Sequence, residues 1–147
     1  MPRDAVDYED DFYAWTVEQA RLLRSGEFSE LDIENIAEEL ESMGRSDKRE
    51  IESRLSVLLA HLLKWQLQVG LRSRSWSGTI REQRERIEDL LAESPSLRSL
   101  VASIRPALYA RARRRAADET GLPESALPAD CPFTAEQILS EDFLPEG

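Results

Sequence analysis

Apolar side chains recur along this chain at three- and four-residue intervals, and no segment of strand length alternates with period two. That pattern predicts an all-α fold. Its strongest stretch is Ile51, Leu55, Leu58, Leu62, Trp65 and Val69, a 4-3-4-3-4 seam of the kind found inside helical bundles. Leu59, Leu63 and Leu67 widen the seam towards half the helix circumference. Only the centre of a bundle buries so wide an arc, so the helix from Ser46 to about Val69 is expected there.

Internal glycines fall between the periodic segments and punctuate them. Helix one is expected over Asp10–Arg24, with Phe12, Trp15, Gln19, Leu22 and Leu23 inward. Helix two should start at Ser29, with Asp32 completing a capping box and Phe28 stapled onto Ile33. Its inward face reads Ile33, Ile36, Ala37, Leu40 and Met43, and Gly44 should close it in a left-handed conformation. Helix four should open with the capping box Thr79-x-x-Glu82 and run to Ser94, burying Ile80, Ile87, Leu90 and Leu91. Ser94 and Pro95 then start helix five, which points Leu97, Leu100, Val101, Ile104, Leu108 and Ala112 inward. Pro106 lies within it and is expected to kink or split it near Ala102. Gly121 closes it. The remainder holds four of the seven prolines and reads as an extended tail. One short helix is expected there, capped by Thr134 and Gln137, with Phe143 and Leu144 anchoring the end. The whole is an up-and-down bundle of about five helices in a single domain, residues 1–147, with residues 121–147 packed on it.

Composition narrows the compartment. At 147 residues the chain fits one domain, and a single cysteine, Cys131, excludes an internal disulfide or a multi-cysteine metal site. Leu55–Val69, interrupted by Ser56, His61, Lys64, Gln66 and Gln68, is too polar to span a membrane. Met1-Pro2-Arg3-Asp4 does not begin a signal peptide, so a cytoplasmic protein is expected.

Charge is divided along the chain. Residues 1–50 carry 15 acidic and 6 basic side chains, residues 51–117 carry 6 and 13, and residues 118–147 carry 8 and none. The simplest explanation is that acidic arms fold onto a basic middle and their charges compensate. The sharper one leaves part of the middle open to an acidic partner.

Candidate chemistry is sparse. Glu34, Glu38 and Glu41 share a helix face, but a di-metal carboxylate bundle needs Glu-x-x-His on each of two helices. Here the one histidine, His61, follows Leu58 at that spacing, and a hairpin about Gly44 would carry it towards Ser29. No metal or cofactor is expected. His61 borders the apolar arc, one turn from Lys64 and Trp65. As a catalytic base it would need a nucleophile and an orienting carboxylate. Ser73, Ser75 and Ser77 are near in sequence but carry no nucleophile-elbow signature. Cys131 sits between Asp130 and Pro132 in the tail, and no phosphate-binding glycine loop is present.

The best binding candidate joins His61 and Lys64 to Arg72, Arg74, Trp76, Arg81 and Arg84, guanidiniums around a tryptophan near a helix start. Trp76 is most simply a core residue at that start. Arg111, Arg113, Arg114 and Arg115 form a second basic cluster. Both could meet phosphates, although a pI near 4.7 disfavours nucleic acid.

The chain also resembles a known family. The matching pieces are Tyr8-Glu9-Asp10-Asp11-Phe12-Tyr13-Ala14-Trp15, the stretch from Leu31 to Ser46, His61-Leu62-Leu63-Lys64-Trp65-Gln66, Arg74-Ser75-Trp76 and Thr79-Ile80-Arg81-Glu82-Gln83-Arg84. Ser94-Pro95-Ser96-Leu97, Glu119-Thr120-Gly121-Leu122, Cys131-Pro132, Ile138-Leu139 and Asp142-Phe143-Leu144-Pro145 continue the match. Together they resemble the domain of unknown function 29 family, small bacterial proteins seen mainly in cyanobacteria and proteobacteria. The family usually has an aromatic residue and then a proline where this chain has Leu67 and Val69, which leaves helix three room to run further. The resemblance implies an all-helical bundle and brings no activity, cofactor or substrate. The functional expectation is therefore a non-enzymatic protein–protein interaction module, self-association included. A nucleic-acid-associated factor using Arg72–Arg84 and Arg111–Arg115 is the alternative, and an enzyme centred on His61 the third.

Overall fold

The computed structural model describes residues 6–147, apart from the side chains of residues 103–105. The readings of Met1–Asp4 and of Ile104 as an inward residue fall outside the described residues. The fold is all-α, with no strand among the described residues. Five α-helices follow in order among the described residues: α1 (Phe12–Ser25), α2 (Ile33–Leu67), α3 (Arg74–Glu93), α4 (Arg98–Thr120) and α5 (Ala135–Leu139). Short 3-10 turns at Phe28–Glu30, Val69–Leu71, Pro95–Leu97 and Glu124–Ala126 lie between them. Packing divides the chain into two compact units, residues 1–46 and 47–147.

Within the first unit, α1 starts where the Asp11 carboxylate accepts the Ala14 N–H at 3.1 Å, and stops at Gly26, whose φ of 74° is left-handed. Trp15, Gln19 and Leu22 form its buried face, at the expected spacing. Phe12 and Leu23, expected beside them, are exposed. Asp32, not Ser29, opens the next helix. Its carbonyl accepts the Ile36 N–H at 2.9 Å, while its carboxylate accepts Asn35 Nδ2 at 2.8 Å and Trp15 Nε1 at 3.0 Å. Its own N–H donates to Gln19 Oε1 at 2.8 Å. Three polar groups thus fix one aspartate, and the Asn35 and Trp15 bonds hold its carboxyl below the usual range. Phe12 and Trp15 stack nearby, Tyr8 meets both rings edge-on, and the Tyr8 hydroxyl donates to Glu39.

The expected hairpin at Gly44 does not form. Residues 33–67 make one continuous helix, so helices two and three are a single α2. Gly44 has no left-handed backbone, and a Cβ placed on it would meet nothing within 4 Å. The physical reason is local. A glycine inside a helix costs about 1 kcal/mol, too little to break it when its neighbours favour helix. Arg45 pairs with Glu41 at 3.7 Å and Arg54 with Glu50 at 3.1 Å, both four residues apart, so ion pairs at helical spacing support both sides, and Arg45 also reaches Glu38 at 3.1 Å.

In the second unit the seam is buried as expected from Ile51 to Leu63, whereas Trp65 is half-buried and Leu67, read as widening it, is exposed. Ile51, Leu55, Leu58, Leu59, Leu62 and Leu63 are essentially inaccessible to water and meet Ile80, Ile87 and Leu91 of α3 and Val101, Leu108 and Ala112 of α4. Leu127, Phe133 and Ile138 from the C-terminal segment complete this core. α2 ends at Leu67, and Val69 falls in a 3-10 turn, exposed, so the helix does not reach the expected end. α3 starts six residues earlier than the Thr79 box predicts, because Ser73 Oγ accepts the Trp76 N–H at 3.2 Å and caps it. The Arg72–Trp76 linker is therefore mostly the first turn of α3. α4 remains continuous through Pro106, so the expected split is absent. Ala102 and Pro106, the two residues between which the proline removes a helix hydrogen bond, are both exposed. Gly121 closes α4 with φ 75°, and Thr134 and Gln137 form the expected reciprocal capping box.

The two glycines should respond oppositely to alanine. Gly44→Ala should raise stability by about 0.5–1 kcal/mol, and Gly121→Ala should lower it by about 1 kcal/mol, in urea unfolding followed by far-UV circular dichroism.

Candidate functional site

The residues singled out from the sequence fall into three separate settings. In the first, His61 Nδ1 lies 2.9 Å from the Val57 carbonyl one turn back. A carbonyl only accepts, so Nδ1 carries the hydrogen. Lys64 Nζ reaches Glu119 Oε2 at 3.1 Å and sits 4.8 Å from the centre of the Trp76 ring. Arg115 pairs with the other Glu119 oxygen at 3.1 Å. Burial raises the Glu119 carboxyl, but the Lys64 and Arg115 bonds outweigh it and leave it below the usual value. Burial also lowers His61, and the Lys64 charge works in the same direction. Trp76 is half-buried and cation-covered rather than a core residue.

In the second, arginines hold the C-terminal segment. Arg84 is 3% exposed, its Nε donates to the Ile138 carbonyl at 2.9 Å, and its Nη2 donates to that of Gln137 at 3.2 Å. Arg72 lies over the Trp65 ring at 5.0 Å, donates Nε to the Trp65 carbonyl at 2.7 Å, and reaches the Pro145 carbonyl at 3.3 Å. Arg113 Nη2 donates to the Glu124 and Leu127 carbonyls at 2.6 and 3.3 Å. Beside it the Tyr109 hydroxyl donates to the Pro128 carbonyl at 2.6 Å, and burial pushes that phenol up to about 12. The Glu124 and Gln137 carbonyls also accept the Leu127 and Ser140 N–H groups at 3.0 and 3.3 Å, and for the Leu127, Pro128, Ile138 and Pro145 carbonyls these side chains supply donors. The basic middle thus meets the acidic tail mainly through neutral carbonyls. Arg114 and Glu124, 3.6 Å apart, are one charge-to-charge contact.

Arg84 escaped the sequence reading as a buried residue, although Ile80, Arg84, Ile87 and Leu91 keep the 4-3-4 spacing of a seam. An arginine on such a seam is the signal that it must find internal acceptors. The Arg72–Arg84 group is consequently not one patch: Arg72 and Arg84 serve the tail, while Arg74 and Arg81 are exposed. Arg81 and Arg84 line a cleft of about 260 Å³ with Glu85, Glu141 and Asp142, whose charges offset theirs. Arg111, Arg114 and Arg115 border an open groove of about 470 Å³ with Ser56, Asp118 and Glu119. Cys131 donates its thiol to the Phe133 carbonyl at 3.4 Å. Among the described residues no group of three or more His, Cys, Asp or Glu is placed to hold a metal ion.

The third setting was expected to be a core face. Ile33, Leu40 and Met43, read as the inward side of helix two, are 64%, 64% and 65% exposed. Tyr13, Val17 and Phe28 are exposed as well. Residues 1–46 carry 13 acidic and 4 basic side chains, so these apolar groups sit in a strongly acidic unit. No helix among the described residues is long and apolar enough to cross a membrane.

These features define an all-helical protein whose C-terminal segment is tied to its helices by arginine–carbonyl bonds. The chain belongs to the family of the DUF29 domain of unknown function, whose model matches residues 8–144. No curated protein and no solved structure gives a significant match.

Replacing Arg84 by lysine keeps the charge but removes the fork. The tail carbonyls of Gln137 and Ile138 then lose donors, and stability should fall by about 1–3 kcal/mol, with faster amide exchange across α5. For His61 the folded-state value lies below its ordinary 6.5, so the neutral ring is favoured by folding. Its contribution is complete above about pH 6.5 and is lost as pH falls from there through the lowered folded value. The melting temperature of wild type should therefore drop on acidification through that window, and His61→Gln should drop less.

Proposed function

We propose that this protein is a non-enzymatic protein–protein interaction module that docks through the exposed apolar stripe at the start of α2. The observation that carries this reading is the exposure of Ile33, Leu40 and Met43 on one helix at intervals of seven and three residues. Isolated exposed apolar side chains are ordinary, whereas a helical row of large ones marks an interaction surface. Burying such a side chain against a partner yields about 1.5–3 kcal/mol, so three are enough to anchor a complex. The arginines required by a nucleic-acid reading are largely occupied: Arg72, Arg84 and Arg113 with carbonyls, Arg114 and Arg115 with carboxylates. An enzyme centred on His61 would need a nucleophile beside it, and the ring is instead tied to the Val57 carbonyl.

The test uses the tagged full chain and an Ile33→Ser/Leu40→Ser variant, which keeps the charge and removes apolar surface. In a nuclease-treated native pull-down the wild type should retain a defined protein, and the variant should lose at least about tenfold of it at equal helicity, the loss expected when two buried anchors go. Equal recovery by both proteins, or no partner together with a monomer by light scattering, defeats the proposal.

A further inference from the structure

The same stripe has a shape and a charge setting that select its occupant, and resting on the interaction-module reading we infer that it takes a basic amphipathic helix from another protein. Ile33, Ile36, Leu40 and Met43 follow 3-4-3 spacing over about three helical turns, the footprint of one partner helix laid along another. Ala37 and Gly44, at about 100° per residue, lie along one flank of the stripe and let a second backbone approach closely. Glu34 and Glu41 lie just beyond them, both exposed, with Arg45 3.7 Å from Glu41 on the same flank. On the opposite flank is Glu39, held by Tyr8. A helix seated on the stripe therefore places its own flanking positions over carboxylates, and cations there are favoured.

Charge decides against the other occupants. A second copy packed face to face would bring one unit of 13 acidic and 4 basic side chains against another, a strongly repulsive pairing. A second copy packed head to tail would have to offer a basic helix with an unburied apolar row. The basic helix of this chain, α4, spends its apolar residues Val101, Leu108, Tyr109 and Ala112 in its own core. An acidic or neutral amphipathic helix would gain the apolar contact and lose the flanking attraction. A partner with leucine-like residues at three- and four-residue spacing, bordered by lysine or arginine, satisfies both.

The probe is a synthetic peptide of leucine and lysine patterned as an amphipathic helix of about five turns, with a leucine/glutamate peptide of the same pattern as its control. Binding to the full chain is followed by titration and by amide chemical shifts. The lysine peptide should shift the amides of residues 33–44 and bind at least about tenfold more tightly than the glutamate peptide. Ile33→Ser/Leu40→Ser, which preserves charge, and Glu34→Gln/Glu41→Gln, which preserves the stripe, should each weaken it by about tenfold, with affinity also falling from about 0.05 to about 0.5 M salt. Undiminished binding to the serine variant would reduce the effect to bulk charge attraction and overturn the inference. So would shifts centred elsewhere, equal binding of the glutamate peptide, or concentration-dependent dimerisation abolished by the serine variant, which makes a second copy the occupant. A pull-down partner that depends on the stripe but lacks a basic helix would leave the interaction module standing and remove only its proposed ligand class.

Discussion

The carbonyls of an irregular C-terminal segment laid on a hydrophobic core are what the second unit has to partner. Its C-terminal segment crosses a hydrophobic core with Leu127, Phe133 and Ile138 inserted, yet its own regular hydrogen bonding amounts to one 3-10 turn and one short helix. Each stranded carbonyl would cost on the order of 1–3 kcal/mol. Arg84 from α3, Arg113 and Tyr109 from α4, and Arg72 from the α2–α3 turn supply the donors. A guanidinium suits this task because it presents several N–H groups in a plane and stays charged when buried. Its stem, meanwhile, lies along the apolar seam it belongs to. The placement of α3 and α4 side chains and the path of the tail are thus one problem with one solution.

The same economy explains why the candidate binding residues dispersed. A cluster of arginines and tryptophans in a short stretch of sequence invites the idea of a ligand surface. In the folded chain Trp65 lies beneath Arg72 and Trp76 beneath Lys64, so both aromatic faces are covered by cations of the protein itself. Lys64 is in turn neutralised by Glu119 from α4. What remained available was elsewhere, at the start of α2, where apolar residues expected to be internal face outward.

Continuity of α2 underlies that exchange. A left-handed Gly44 would have folded the Ile33–Met43 face back as part of a hairpin. A helical Gly44 lets the helix assignment run over Ile33–Leu67, and within the second unit the seam from Ile51 to Leu63 meets α3, α4 and the tail. The decision rests on a small local energy, since glycine permits both conformations and the surrounding Arg–Glu pairs favour the helical one.

Periodicity determined the all-α class and the location of the second unit's core at Ile51–Leu63, and cap residues determined the closure at Gly121 and the Thr134–Gln137 capping box. Each of these is written in spacing or in a side chain's bond to its own backbone within four residues, and so needs no distant partner. Tertiary structure decided the rest. Whether Ser29 or Asp32 starts a helix depended on Trp15 and Gln19 arriving from α1. Whether Arg84 was a surface cation or an internal donor depended on Gln137 and Ile138 arriving from more than fifty residues away. An amphipathic pattern states that a face is apolar, but what covers the face is a property of the folded chain, and Ile33, Leu40 and Met43 are exposed.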